Sequence, residues 1–335
     1  MNNFKQFTTR FKRNKRGSVS FVILCVLFFS SLFAEIIAND KPLIVKFEGR
    51  YYFPIFQDIT EEKFNGELKT TADYRDPAVI KLINNNGWIL MPPIEFSYDT
   101  INLNLNSPAP SKPSTQNILG TDDQARDVLA RLIYGIRISL IFAILLSFLS
   151  LILGIVIGAL QGYFAGLVDI SMQRFIEIWS SLPMMFLLIT FSAIIAPSFF
   201  SLLFLALLFN WISLSSLVRV EFLRLRNFEF VLASKVLGAS TFRTIFFHIL
   251  PNAMPIILTN LVFLIASSLT TLSALDFLGF GLPVGSPSLG ELLAQGKNNL
   301  TSYWLGITGF VCVTLILICL VFVGEAVRDG FDTRK

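Results

Sequence analysis

At 335 residues, 53% hydrophobic and only 15% charged, the chain is far more apolar than a water-soluble domain, in which about a quarter of residues carry charge. Phenylalanine occurs 34 times, and the net charge of +4 includes no polybasic stripe of the kind that grips nucleic acid. Lipid is the main solvent; a soluble globular domain and a nucleic-acid binder are excluded. The three cysteines, Cys25, Cys312 and Cys319, lie inside apolar runs and imply neither a disulfide framework nor a metal site.

Residues 1–17 form a basic terminus in which Lys5, Arg10, Lys12, Arg13, Lys15 and Arg16 appear without a single acid. The positive-inside rule places such a flank in the cytoplasm. The first apolar run, 18–38, could be the core of a secretory signal, but no small-x-small cleavage site follows and further runs come later, so an uncleaved first helix is expected. A helix needs roughly 20 residues to cross a core of about 30 Å. Six runs suffice: 18–38, 136–164, 173–195, 199–218, 255–275 and 305–325. An even count returns the C-terminus to the cytoplasm with Arg328, Arg334 and Lys335. The predicted fold class is all-α, with a transmembrane core over 128–335.

Between the first two runs lies a net acidic stretch, 39–127, expected outside. Its aromatic residues Tyr51, Tyr52, Phe53, Tyr74 and Trp88 suit a small folded cap; a bare tether is the alternative. Its Pro-rich tail, Ser107 to Ser114, reads as a stiff extended linker. Arg126, Arg131 and Arg137 run against the charge rule at the outer end of the second span, where Asp122, Asp123 and Asp127 are near enough to pair with them.

The loop 219–254 differs in kind. It carries Arg219, Arg224, Arg226, Lys235 and Arg243 against Glu221 and Glu229, which places it inside. Phe230, Val231, Leu237 and Phe242 surround Ala233-Ser234, and Gly238 breaks the helical pattern in the middle, so a helix-Gly-helix element facing a soluble partner is expected. An ordinary amphipathic interfacial helix is the rival reading. The Gly- and Pro-rich stretch Asp276 to Tyr303 must line a cavity or be buried in protein if it lies near membrane depth.

No catalytic constellation can be assembled. His248 is the single histidine, zinc lacks ligands, and the run Gly290 to Asn298 misses a phosphate loop by one residue and by Asn in place of Ser or Thr. The chain is expected to bind no cofactor and not to hydrolyse ATP alone, so energy comes from a partner or an ion gradient. Arg174 and Glu177, three residues apart near Asp169, could be a proton relay or a helix-end salt bridge, and Pro183 in the same helix, after Ser180-Ser181, offers a kink.

Leu232-Ala233-Ser234, then Gly238, then His248-Ile249-Leu250-Pro251 fall at the spacings of the Glu-Ala-Ala, Gly, Ile-x-Leu-Pro signature of binding-protein-dependent ABC importer permeases. Leu119 to Leu129, Arg131 to Ser139, Gly162 to Asp169, Leu275 to Pro283 and Gly324 to Asp332 resemble the second-subunit permeases of the oligopeptide and dipeptide branch. The insert, with Gly87-Trp88 and Pro92-Pro93, is most similar to the Yej-type subset, associated with uptake of oligopeptides and of the peptide-nucleotide antibiotic microcin C.

This resemblance implies a type I permease in a bacterial inner membrane, paired with a second permease as a heterodimer. ATP and magnesium would be bound by a cytoplasmic ATPase partner, and a periplasmic binding protein would deliver the peptide. Leu232, Ala233, Ser234, Gly238, Ala239, His248, Leu250 and Pro251 would form the ATPase-coupling loop, with a short coupling helix from Leu232 to Phe242. Ser180, Ser181, Thr270, Thr271 and Ser273 would line the translocation pathway. An ion-coupled secondary transporter is the rival function, and a membrane sensor or scaffold a third.

Overall fold

A computed structural model describes residues 2–105 and 107–331; Arg334, Lys335 and Asp332 lie outside the described residues, as does the side chain of Lys5. In chain order the elements are α1 (Asn2–Arg13), α2 (Lys15–Leu32), α3 (Ala34–Ile37), β1 (Ile44–Phe47), β2 (Arg50–Tyr52), α4 (Pro77–Asn86) and β3 (Gly87–Leu90). They continue with α5 (Val128–Phe164), α6 (Gly166–Ser180), α7 (Met184–Ile194), α8 (Phe199–Asn210), α9 (Ile212–Leu225), α10 (Glu229–Val236) and α11 (Thr241–Arg243). The last three are α12 (Leu250–Phe277), α13 (Leu289–Asn298) and α14 (Tyr303–Phe331).

Among the described residues five helical stretches are long and apolar enough to cross a membrane: α2, α5, α8–α9, Thr241–Phe277 and α14. The pair α6–α7, bent by 65°, makes a sixth if it counts as one crossing. The two ends of the chain bear on that count. The rings of Phe7 and Phe331 are 4.6 Å apart, and Asn14 Nδ2 donates to Asp329 Oδ2 at 3.1 Å. Ends that meet fit an even number of crossings, which the described residues give, six in all, with the bent pair counted as one.

Several spans differ from their expected bounds for physical reasons. The second begins at Val128 rather than 136, because Arg131 carries a buried ion-pair partner and need not end the helix. The third, expected as one helix over 173–195, is broken at Ser181-Leu182-Pro183, since proline lacks an N–H and its ring clashes with the preceding turn. Trp179 Nε1 donates to the Leu208 carbonyl at 2.9 Å and ties α6 to α8.

The described residues fall into two compact units. In the first, which takes in 2–25, 139–284 and 313–331 of the described residues, α5 packs closely against α9. Gly154, Gly158 and Gly162 recur every fourth residue on α5, so they share one face. A Cβ at Gly158 would lie 2.5 Å from the Ser215 carbonyl oxygen, and one at Gly162 2.4 Å from Phe222 Cβ. The stripe therefore lets the α9 backbone touch α5. Around it Leu214, Val218, Phe222, Ile249, Ala253 and Ile257 form a buried core. Replacing Gly158 with Val should separate α5 from α9; the expected outcome is loss of folded protein on gel filtration in detergent, with Gly158→Ala milder.

The second unit comprises Val26–Ile138 and Gly285–Cys312. Here the stretch left open between cap and tether carries an antiparallel sheet of order β2-β1-β3, with Val45 opposite both Tyr52 and Ile89. Helix α4 starts at Asp76, whose side chain accepts the Ala78 N–H at 2.8 Å, followed by Pro77 in the first turn. Its Val79 and Ile83 pack with Val45, Phe47, Phe64 and Tyr74 into a closed apolar core. The Ser107–Ser114 tail is not a free spacer. Ser111 exchanges bonds with Thr121, donating its N–H to Thr121 Oγ1 at 2.8 Å and accepting the Thr121 N–H at 2.9 Å.

The start of α5 is held by charge. Asp127 caps it, accepting from the Ala130 N–H at 2.7 Å and from Asn117 Nδ2 at 2.8 Å; burial raises its carboxyl above the usual range against these bonds. Burial, with the charge of Asp122 next, also raises Asp123. Asp122, wholly buried, meets Arg126 at 2.7 Å and the equally buried Arg131 at 3.4 Å. Arg131 also donates to the carbonyls of Tyr98, Gly285 and Ser286. The expected pairing thus holds for two of three arginines, whereas Arg137 pairs with Glu35 at 2.7 Å. Removing one partner of a buried set strands the others, so Asp122→Asn should cost about 3–5 kcal/mol in thermal unfolding. Asp58→Asn, which breaks an exposed pair with Lys41, should change little.

Candidate functional site

The candidate site is the connection from α9 to α12 in the first unit. It is anchored from both sides. Arg219 on α9 makes a two-pronged pair with Asp169 in the first turn of α6, its Nη2 at 2.7 Å from Oδ2. Arg226 Nη1 donates to the Tyr163 carbonyl at 3.2 Å, and Lys235 Nζ stands 4.9 Å from the centroid of the Tyr163 ring. Asp169 is therefore engaged with Arg219, while Arg174 and Glu177, among the described residues, pair only with each other, at 2.6 Å on an exposed turn of α6.

On that base stands α10. Val231 and Ser234 are buried, Val231 in the core shared with Phe222, Ile245 and Ile249. The remaining faces are bare: Leu232 is 49% exposed, Val236 87% and Leu237 86%. The helix stops at Val236 and α11 follows the Gly238 turn, which is the expected helix-Gly-helix order; the coupling helix expected from Leu232 to Phe242 is therefore interrupted at Gly238. The end of α10 is a Schellman motif. The Gly238 N–H donates to the Lys235 carbonyl and the Ala239 N–H to that of Ser234, both at 3.0 Å, with Gly238 at φ +79°. Nothing lies within 4 Å of a Cβ built on Gly238, so the left-handed backbone, not crowding, calls for glycine there.

Beyond the turn Ser240 caps the next helix, accepting the Arg243 N–H at 3.3 Å. Residues Thr244–Ile249 then widen into a π-helical turn. Pro251 explains it: in the first turn of α12 it has no N–H to return, and the wider turn makes room for its ring. The Leu250 N–H reaches back to the Ile245 carbonyl, and Asn252 Nδ2 takes the His248 carbonyl at 2.7 Å. His248 thus serves through its backbone. Leu250 packs against the core and Pro251 is exposed.

The five expected pathway residues fall in two places, at the α6–α7 bend and on α12. Ser180 and Ser181 are exposed at the α6–α7 bend and donate to carbonyls of their own helix, as Thr270 and Thr271 do on α12. Ser273 is buried. Among the described residues no hydrogen bond joins the two sets. A polar cluster that residue patterns had not singled out lies deeper. Ser147 and Ser268 hydroxyls are 3.0 Å apart, and Asn210 Nδ2 donates to Ser268 at 3.0 Å and to Ser150 at 3.3 Å. The near-phosphate-loop run 290–298 lies within helix α13, so it is no phosphate loop.

Comparison with known proteins places this architecture. Residues 150–335 match the family described as binding-protein-dependent transport system inner membrane component, and residues 2–58 the N-terminal transmembrane domain of oligopeptide transport permease C. The chain is 53% identical to the inner membrane ABC transporter permease protein YejE of Escherichia coli K12, across 97% of this chain and 96% of that protein. It is 49% identical to a protein of Agrobacterium fabrum named peptidoglycan transport system permease protein YejE, over 97% and 91% of the two chains. Against the oligopeptide permease OppC of Bacillus subtilis it is 34% identical over 71% of this chain and 78% of the other. With six apolar crossings and a match that spans more than half its length, the chain belongs to the inner-membrane permeases of binding-protein-dependent ABC transporters, in their peptide-transport family.

Proposed function

We propose that this chain is one half of the pathway of an ATP-driven importer of short peptides, and that α10 with its Gly238 turn is the element an ATPase subunit pushes. The observation that carries the reading is the bare apolar surface of Leu232, Val236 and Leu237 on a helix whose other face is locked into the core by Val231. An exposed apolar face on a rigidly mounted helix suits a groove in a soluble partner. The basic N-terminal flank and the excess of arginine between α9 and α12 favour the cytoplasm for this surface and for both chain ends. ATP and magnesium belong to that partner; the chain itself catalyses nothing.

In this reading a second permease completes the pathway as a heterodimer and an external binding protein delivers the peptide. Closure of the ATPase pair would move α10 as a rigid lever. Because α10 is mounted on α9 through Val231 and on α5 through Tyr163, the push reaches the spans rather than bending the loop. Oligopeptides are the proposed cargo, with microcin C-like conjugates among them. The name of the Agrobacterium relative makes peptidoglycan-derived peptides a second cargo to assay.

Uptake of a labelled tripeptide by cells that depend on this chain tests the lever. Leu237→Asp should abolish uptake while membrane insertion and thermal stability stay unchanged; unaltered uptake would remove the coupling role. At the turn, Gly238→Ala should cost about 1 kcal/mol of stability and Gly238→Asn less, since asparagine tolerates the left-handed region. A proton-driven mechanism would instead lose uptake on Glu177→Gln, and when the proton gradient is dissipated with ATP maintained.

A further inference from the structure

The second unit holds a cavity of about 590 Å³, within the roughly 300–1,000 Å³ usual for small-molecule sites. It is built entirely by residues between Tyr74 and Leu129, away from the element assigned above to coupling. Its lining mixes charge, amide and apolar groups in a particular way. Arg75 is positioned: its guanidinium lies over the Phe96 ring, 4.8 Å from the centroid, and Nη1 donates to the Ile101 carbonyl at 3.2 Å. It has no carboxylate partner among the described residues. Glu95, next to Phe96 in the chain, is exposed and likewise unpaired among them. Asn84 and Gln116 contribute side-chain amides that make no hydrogen bond among the described residues.

The remaining wall is a sheet edge. In the order β2-β1-β3, strand β3 has no neighbour on its far side. Antiparallel ladders alternate bonded and non-bonded pairs. The Glu48 N–H donates to the Asn86 carbonyl at 3.2 Å, so Lys46 with Trp88 and Ile44 with Leu90 continue the bonded set. Ile89 is then in a non-bonded pair with Val45, and its N–H and C=O face the open edge. Ile89 is also a cavity residue. The site therefore offers a free donor and acceptor on one strand, a fixed cation and a free anion.

We propose that this cavity binds a short peptide with free termini. The peptide extends alongside β3, exchanging main-chain hydrogen bonds with Ile89, as chains added to an open sheet edge do. Its carboxylate meets Arg75, where a planar guanidinium can take both oxygens. Its ammonium meets Glu95, and Asn84 and Gln116 serve the amides between. Main-chain and terminal contacts dominate, so the site reads peptides as a class rather than by side chain. The occupant's class rests on the transport reading above; the binding chemistry does not depend on coupling or on any second subunit.

The test uses the full-length chain in lipid nanodiscs, with no binding protein, and the tripeptide alanyl-(4-benzoylphenylalanyl)-alanine as a photo-crosslinking probe. Irradiation should label residues 84–96, and excess trialanine should compete. Blocking both termini of the probe, or substituting Arg75→Gln or Glu95→Gln, should each lower labelling about tenfold or more, as loss of a charged hydrogen bond does. Labelling elsewhere, no labelling, or labelling indifferent to blocked termini would overturn the proposal. Should a variant misfold, the blocked probe on unaltered protein decides alone. Uptake of the same peptide by the complete transporter is measured in parallel. Uptake without cavity labelling sinks this inference and spares the transport reading; labelling without uptake does the reverse.

Discussion

Lipid tails are as apolar as leucine, so two helices gain little hydrophobic free energy by meeting inside a bilayer, and shape must hold them. In this chain that constraint is met where α5 touches α9. The glycine stripe Gly154, Gly158 and Gly162 removes the side chains that would keep the two backbones apart, and Leu214, Ser215, Val218 and Phe222 occupy the space. Everything between α9 and α12 inherits its position from this contact. Arg219 and Arg226 lie at its end and fasten it to Asp169 and Tyr163. A helix as short as α10 would be marginal alone. Mounted there, it presents a fixed surface.

The same solvent governs the polar groups. A hydroxyl or amide that faces hydrocarbon must find a partner within the protein. Thr259, Thr270 and Thr271 return their hydroxyls to carbonyls four residues back, so they announce no pathway by being polar. Ser147, Ser150, Asn210 and Ser268 instead bond across helices and fix how α5, the end of α8 and α12 face one another. Asn210 is the last residue of α8, so one amide stitches the end of that helix to two others.

Much of this was legible from residue order alone, and the misses have physical causes. Apolar runs reveal spans because length against bilayer thickness is a one-dimensional property. The bend at Pro183 was legible as a kink but not as a full break, since proline in a span can kink or end a helix depending on what surrounds it. The start of α5 was placed too late because Arg131 interrupts the apolar run, whereas its pairing with buried Asp122 lets the helix begin at Val128; that Arg137 would find Glu35, far away in the chain, no local pattern records. Gly238 was readable as a turn, but whether close approach or a left-handed backbone required it was not. The cavity beside β3 joins α4, the sheet edge and residues near 116, and no periodicity records such a meeting. The glycine stripe did carry a signal, a recurrence every four residues, that composition and hydropathy pass over.

The meeting of the two chain ends has a consequence for assembly during synthesis. A Cβ on Gly17 would lie 2.2 Å from that of Ala326, so the glycine admits the last helix directly against the beginning of the second. That seat cannot be filled until the ribosome has delivered α14, after every other crossing has been made. The earliest span thus waits half-dressed in the bilayer and closes its packing at the end, so emergence of the final helix seals the first unit.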